Sequence, residues 1–101
     1  MFRQGDVLII PAAAIPAGAQ RQRIEGRIVL AEGEATGHAH ALYEPEKVSL
    51  WAAANDERYL EVVRPTALRH EEHAPIDLAP GLYRVVRQYE YTPEDIRRVA
   101  D

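Results

Sequence analysis

The chain of 101 residues contains no cysteine, which excludes a disulfide framework and every zinc finger that uses thiolate ligands. It also lacks an excess of basic residues, because 12 lysines and arginines against 16 acidic residues give a formal net charge of −4. Domains that bind nucleic acid in bulk normally carry a basic surface. We therefore expect no general nucleic-acid binding.

Long hydrophobic runs are missing as well. The longest apolar stretch, VLIIPAAAIPAGA at residues 7–19, has some features of a secretory signal. We reject that interpretation because Asp6 borders the stretch and Pro11 and Pro16 interrupt it. The stretch is also too short to cross a bilayer. The sequence therefore predicts a cytoplasmic protein without a membrane partner.

Short segments rich in β-branched and aromatic residues make up much of the chain, which is typical of strands. The predicted strands cover residues 5–10, 26–31, 38–43, 48–53, 58–63, 67–70 and 82–91. Residues 11–20 are interpreted as a loop and residues 74–81 as a connection.

The last ten residues, TPEDIRRVAD, predict a helix, because Thr92 suits an N-cap and Pro93 suits the first helical position. The chain as a whole, 1–101, then forms a single domain. It is mainly β, a small antiparallel β-barrel or sandwich with a short C-terminal helix. Exposed sheet edges can pair with a second copy, so a homodimer is a further expectation.

The four histidines of the chain form two close pairs, His38 with His40 and His70 with His73. Residues i and i+2 of a strand leave the same face about 6.5 Å apart, which lets two imidazoles converge on one ion. Residues i and i+3 of a turn also share one side. The spacing predicts that the two pairs meet and hold one divalent transition metal between them.

Imidazole suits zinc, iron, copper and nickel better than calcium or magnesium, so zinc is the first expectation, with iron, manganese or nickel as alternatives. Four imidazoles would close a tetrahedral site, whereas three, or three with a carboxylate such as Glu44, would leave a position for water or substrate. Glu34, Glu71 and Glu72 are candidates for orienting the rings by hydrogen bonds.

Several functions stay open at this point. The domain can be a metal-dependent enzyme, hydrolytic or cupin-like, or a non-catalytic binding module with a structural metal or none. Opposed histidines can also perform acid–base chemistry without a metal. The last strand offers one more interpretation, a platform that stacks single-stranded nucleic acid. Its residues share one strand face: Tyr83, Arg87, Tyr89 and Tyr91.

The segment GEATGHAHALYE, residues 33–44, resembles the first metal motif of cupins, in which a glycine precedes H-x-H and a glutamate follows. The resemblance implies a small β-barrel with a transition metal bound by His38, His40 and Glu44. It does not extend to the second cupin motif, where a histidine follows a Pro-x-Gly turn. Here the second histidine pair precedes Pro80-Gly81.

Most of the chain resembles a group of small uncharacterised bacterial proteins. The likeness is carried by RQGDVLIIP at residues 3–11, GRIVLAEGEATGHAH at 26–40 and HEEHAPIDLAPGLYRVVRQYEY at 70–91. It implies one intact domain and carries no activity with it.

Overall fold

The computed structural model describes residues 1–33 and 37–88. Their regular structure consists of ten strands and two short 3₁₀ turns, Pro45–Lys47 and Ala54–Asp56. The strands are β1 Phe2–Gln4, β2 Val7–Pro11, β3 Gln20–Arg21, β4 Ile28–Glu32, β5 Ala39–Leu42, β6 Val48–Ala52, β7 Arg58–Val62, β8 Thr66–Arg69, β9 Ile76–Leu78 and β10 Gly81–Arg87. None of the helices in this part of the chain is long and apolar enough to span a membrane.

The strands form two antiparallel sheets. The larger has the order β1-β2-β10-β7-β6-β3 and the smaller has the order β4-β5-β8-β9. The predicted mainly β, antiparallel architecture is confirmed. The barrel alternative is not, because the strands of the described residues do not close into one sheet.

Both sheets contribute to one hydrophobic core. Ile9 and Leu60 of the larger sheet and Leu42 and Leu68 of the smaller sheet are fully buried in it. Alternation explains which residues point inward, since successive side chains of a strand leave opposite faces. β5 is buried at every position, and β4 and β8 flank it within the smaller sheet.

A β-bulge interrupts the pairing of β4 with β5. Val29 pairs with Ala41 and Ala31 pairs with His40, so Leu30 has no partner in the register. A bulged residue is left out of the hydrogen-bond ladder. Its carbonyl oxygen accepts a hydrogen bond from the guanidinium of Arg58 instead.

Three strands lie where none was predicted. β1 precedes the first predicted strand, β3 lies at the border of the predicted loop, and β9 lies within the predicted connection at 74–81. Each has only two or three residues, too few for a periodic pattern, and each is defined by its pairing with a neighbouring strand of the sheet. The predicted helix at 92–101 and the end of the predicted strand at 82–91 lie outside the described residues.

Candidate functional site

The four histidines lie together at one end of the two sheets. The ring centroid of His70 is 4.3 Å from that of His40, 4.7 Å from that of His73 and 5.7 Å from that of His38. The rings of His40 and His73 are 5.9 Å apart. The two pairs identified in the sequence therefore form one cluster, with His70 at its centre.

Strand register brings the two pairs together. β5 pairs with β8 in the register Leu42 with Leu68 and Ala41 with Arg69. One residue further along this antiparallel register come His40 and His70. Directly opposite residues of neighbouring strands have Cβ atoms about 4.5–5.5 Å apart, so sheet formation alone places these two imidazoles in contact.

Gln4 of β1 determines which nitrogen of His40 carries a proton. The Gln4 side-chain Nε2 donates to the carbonyl oxygens of Leu68 and Ala74, each over 3.0 Å. The amide oxygen can only accept, and it lies 2.8 Å from Nδ1 of His40. Nδ1 of His40 therefore donates, and in the neutral ring Nε2 carries the lone pair.

Asp6 lies on the other side of His40. Its Oδ1 is 3.5 Å from Nε2 of His40, and its Oδ2 accepts a hydrogen bond of 2.8 Å from Nε of Arg87. Partial burial alone would raise the pKa of Asp6, but the hydrogen bond and charge of Arg87 hold that pKa below its usual value. Burial, followed by the nearby His70, lowers the pKa of His40 despite the opposing charge of Asp6.

The pairing of His40 with Asp6 is therefore electrostatically incomplete at neutral pH. A neutral ring nitrogen with a lone pair faces an ionised carboxylate oxygen, and both atoms are acceptors. A cation between them would satisfy both. Two ligand atoms at about 2.0–2.1 Å from a tetrahedral metal lie about 3.3 Å apart, close to the 3.5 Å observed here.

The loop that carries His70 and His73 is held against β5 by Glu71. Its Oε1 and Oε2 accept from the backbone N–H of Ala39 over 2.7 and 3.3 Å. This hydrogen bond lowers the pKa of the Glu71 carboxyl. Glu71 thus holds the backbone beside the cluster rather than an imidazole.

The other candidate carboxylates differ in position. Glu72 has its carboxylate 3.8 Å from Nδ1 of His38, and its backbone N–H donates to Nδ1 of His70 over 3.0 Å. Glu44 binds Nζ of Lys47 over 2.5 Å and the hydroxyl of Thr66 over 3.0 Å. Both of its oxygens are engaged there, so a role of Glu44 in the histidine cluster stays a prediction. Glu34 lies outside the described residues.

Two glycines let the backbone approach the imidazoles. Gly5 has φ +56°, and a Cβ there would lie 2.9 Å from Nε2 of His73 and 3.2 Å from Cε1 of His40. A Cβ at Gly33 would lie 2.7 Å from Cβ of His38 and 3.1 Å from Nε2 of His70. A Cβ at either position would displace a histidine side chain, and the positive φ of Gly5 additionally favours glycine there.

The cluster as it stands is not a finished metal site. Over residues 1–33 and 37–88, no group of three or more histidine or carboxylate side chains is arranged to hold an ion. The hydrogen bond from Glu72 to Nδ1 of His70 gives one reason. A neutral His70 that accepts at Nδ1 carries its proton on Nε2, so this ring must reorient before it can bind a metal.

Two residues of the predicted nucleic-acid platform on the last strand have contacts within the protein. Tyr83 is only 6% exposed, and its hydroxyl donates to the carbonyl oxygen of Ala79 over 2.6 Å. Its ring therefore has no free face for stacking on a base. Arg87 binds Asp6, and Tyr89 and Tyr91 lie outside the described residues.

Sequence reasoning did not identify Gln4, Gly5 and Asp6 as site residues. Gln4 ends β1, and Gly5 and Asp6 form the turn between β1 and β2. The short segment QGD has no motif that distinguishes it from an ordinary polar turn. Only the pairing of distant strands brings this turn to the histidines.

A protein-family model matches residues 3–88. The chain belongs to the family described as a domain of unknown function, DUF8820. The matched range contains all four histidines together with Gln4 and Asp6, and it confirms the expectation of a small uncharacterised family. It does not show the likeness to cupins. No curated protein and no solved structure matches the chain.

Proposed function

We propose that this protein is a small metal-binding β domain that holds one divalent transition metal, zinc in the first instance, at its histidine cluster. The observation that carries the proposal is that two acceptor atoms, Nε2 of His40 and Oδ1 of Asp6, face each other at a distance of 3.5 Å. His40 is 3% exposed, so bulk water does not readily supply a hydrogen-bond donor to its Nε2.

We assign the ligands as His40 and Asp6 with His73 as the third. The ring of His73 reaches the same side of Gly5 as the ring of His40. His73 lies in an exposed loop, where a side chain can rotate at small cost. His70 and His38 are the candidates for a fourth ligand, and His70 would first have to release the backbone N–H of Glu72.

The ligand number separates the two roles that the domain can have. Three protein ligands leave a fourth position for water, as in catalytic zinc sites, and a metal in such a site supplies a water of lowered pKa. Four histidines would close the coordination and make the ion structural. We favour the open set and hence a small, cytoplasmic metal-dependent enzyme of hydrolytic type; the closed set would make the protein an accessory module.

The test is a zinc titration by calorimetry of chelator-treated protein that carries no histidine tag, with the bound metal counted by elemental analysis. We expect one ion per chain. His40→Ala and His73→Ala, and Asp6→Asn as the isosteric change, should each weaken binding by at least about tenfold, since they remove direct ligands.

Asp77→Asn is the matched control for Asp6→Asn, because Asp77 is an exposed residue of β9. It should bind zinc as the unaltered protein does. An absence of saturable zinc binding, or equal affinities of the Asp6→Asn and Asp77→Asn variants, would overturn the proposal in favour of a metal-free histidine cluster.

A further inference from the structure

We propose that the end of the molecule with the histidine cluster also binds an oxyanion, the phosphate or carboxylate group of a small molecule, through the guanidinium of Arg58 with Arg87 beside it. The role of this oxyanion as the group presented to the metal rests on the proposed function. Its binding requires only the arginines and can be measured separately.

The two arginines are neighbours on the inward face of the larger sheet. Arg58 of β7 pairs with Val85 of β10, and Arg87 follows Val85 by two residues on the same face. Diagonal neighbours of this kind lie about 7–8 Å apart at their Cα atoms. The face points inward, because Leu60 and Val62, which lie on the same face of β7 as Arg58, are buried.

Both guanidiniums are held by backbone carbonyls of β4. Arg58 donates to Leu30, the bulged residue, and Arg87 donates to Glu32 over 3.3 Å. These carbonyls are two residues apart on one edge strand of the smaller sheet. The arginines therefore extend from one sheet to the other, and the direction of each guanidinium is fixed before any ligand arrives.

Arg58 has a charge that its surroundings do not balance. Within the described part of the chain, no carboxylate forms an ion pair with it, whereas Arg87 binds Asp6. Burial, with the charge of Arg87 as a second cause, lowers the pKa of Arg58. A guanidinium has five N–H donors, and the bulge carbonyl engages only one of its nitrogens.

An oxyanion suits this place because it supplies acceptors and negative charge together. A planar guanidinium binds carboxylate and phosphate oxygens in pairs. Arg87 contacts Asp6, and Asp6 contacts His40, so an anion bound at Arg58 lies next to the proposed metal. Before any metal binds, the two arginines would then be balanced by Asp6 and a singly charged anion.

The experiment measures binding of inorganic phosphate and, in a second arm, acetate to the chelator-treated full chain by calorimetry, and repeats the acetate arm with zinc present. Arg58→Gln is compared with Arg84→Gln, which removes the same charge from the opposite face of the same sheet, where Arg84 pairs with Glu57. We expect Arg58→Gln to weaken binding by about tenfold or more, the loss of one hydrogen bond to a charged group. Arg84→Gln should stay within about twofold.

Each result has a definite meaning. Saturable binding of either probe that depends on Arg58 and not on Arg84 supports the oxyanion site, and the probe that binds more tightly identifies the ligand class. The oxyanion site is overturned if neither probe binds saturably, or if Arg58→Gln and Arg84→Gln lose equal affinity. Arg58 then only supports the bulge, and Arg58→Gln lowers only the free energy of unfolding. If zinc does not bind while phosphate does, the metal proposal fails and the anion site stands. If zinc binds and Arg58→Gln does not change the affinity for phosphate or acetate, the anion proposal fails and the metal proposal stands.

Discussion

Gln4 fixes the protonation of His40. Its amide nitrogen donates to the carbonyl oxygens of Leu68 and Ala74, so its oxygen accepts from Nδ1 of His40 over 2.8 Å. An imidazole that binds a metal through one nitrogen commonly donates a hydrogen bond from the N–H of the other. This hydrogen bond orients the ring and raises its basicity. One side chain of the edge strand β1 thus links the smaller sheet, the loop after β8 and the ring of His40.

Replacement of Gln4 by leucine should weaken zinc binding about 10- to 100-fold, the usual effect of losing a hydrogen-bond partner of a metal ligand. It should also lower the free energy of unfolding by about 1–3 kcal/mol, because buried carbonyls lose their donor. Zinc titration and urea unfolding measure the two effects. Gln22→Leu is the control, since the side chain of Gln22 is half-buried away from the histidines and donates to the nearby carbonyl oxygen of Gln20. Unchanged zinc affinity in Gln4→Leu would contradict the positioning role.

Gly5 and Gly18 form a matched pair for testing backbone approach to the rings. Both have positive φ, +56° and +87°, but a Cβ at Gly18 meets nothing within 4 Å. Alanine should cost each variant about 1–2 kcal/mol for the left-handed backbone. Only Gly5→Ala should also displace His73 and His40, with a further loss of stability and a clear loss of zinc affinity. If Gly5→Ala and Gly18→Ala have identical effects on thermal unfolding and on zinc affinity, the contact between Gly5 and the imidazoles contributes nothing to stability or to metal binding.

Glu71 and Glu72 are adjacent but make different contacts. Glu71→Ala removes the acceptor for the backbone N–H of Ala39, so that amide should exchange with solvent at least severalfold faster. Glu72→Ala leaves this hydrogen bond in place and should not change the exchange rate. Hydrogen exchange followed by nuclear magnetic resonance, residue by residue, reports both. Equal protection of Ala39 in the two variants would show that the loop stays docked without Glu71.

His40 should make the stability of the metal-free protein depend on pH. Its pKa in the folded state lies below 6.5, the ordinary value of a free imidazole, so between these two values the unfolded chain binds more protons. The contribution is complete above about pH 6.5 and is lost as pH falls through the lowered pKa. Urea unfolding between pH 7.5 and pH 5 measures it, with His40→Gln as the comparison. If the free energy of unfolding changes with pH equally in the unaltered protein and in His40→Gln, groups other than His40 cause the effect.

The sequence predicted the mainly β architecture because its longer strands have clear patterns of β-branched and alternating residues. The contact of His40 with His70 could be predicted only by assuming that the two histidine pairs share one metal. Nothing in either segment specifies the register between β5 and β8. Asp6 and Gln4 could not be found, because their part in the site depends on a hairpin that returns β1 beside strands more than sixty residues away. Glu44 shows that a motif can match in spacing alone. Its spacing from His40 fits a metal motif, but in the folded chain its carboxylate contacts Lys47 and Thr66.

The hairpin of β1 and β2 also bears on how fast a ligand can leave. β1 has three residues and, as an edge strand, pairs with β2 alone. Short edge strands open at far lower free energy than the core. Transient detachment of β1 would take away Gln4 and loosen the turn at Asp6 while both sheets remain folded. Ligand exchange would then be governed by fraying of this strand, and its half-time would be much shorter than the lifetime of the native state.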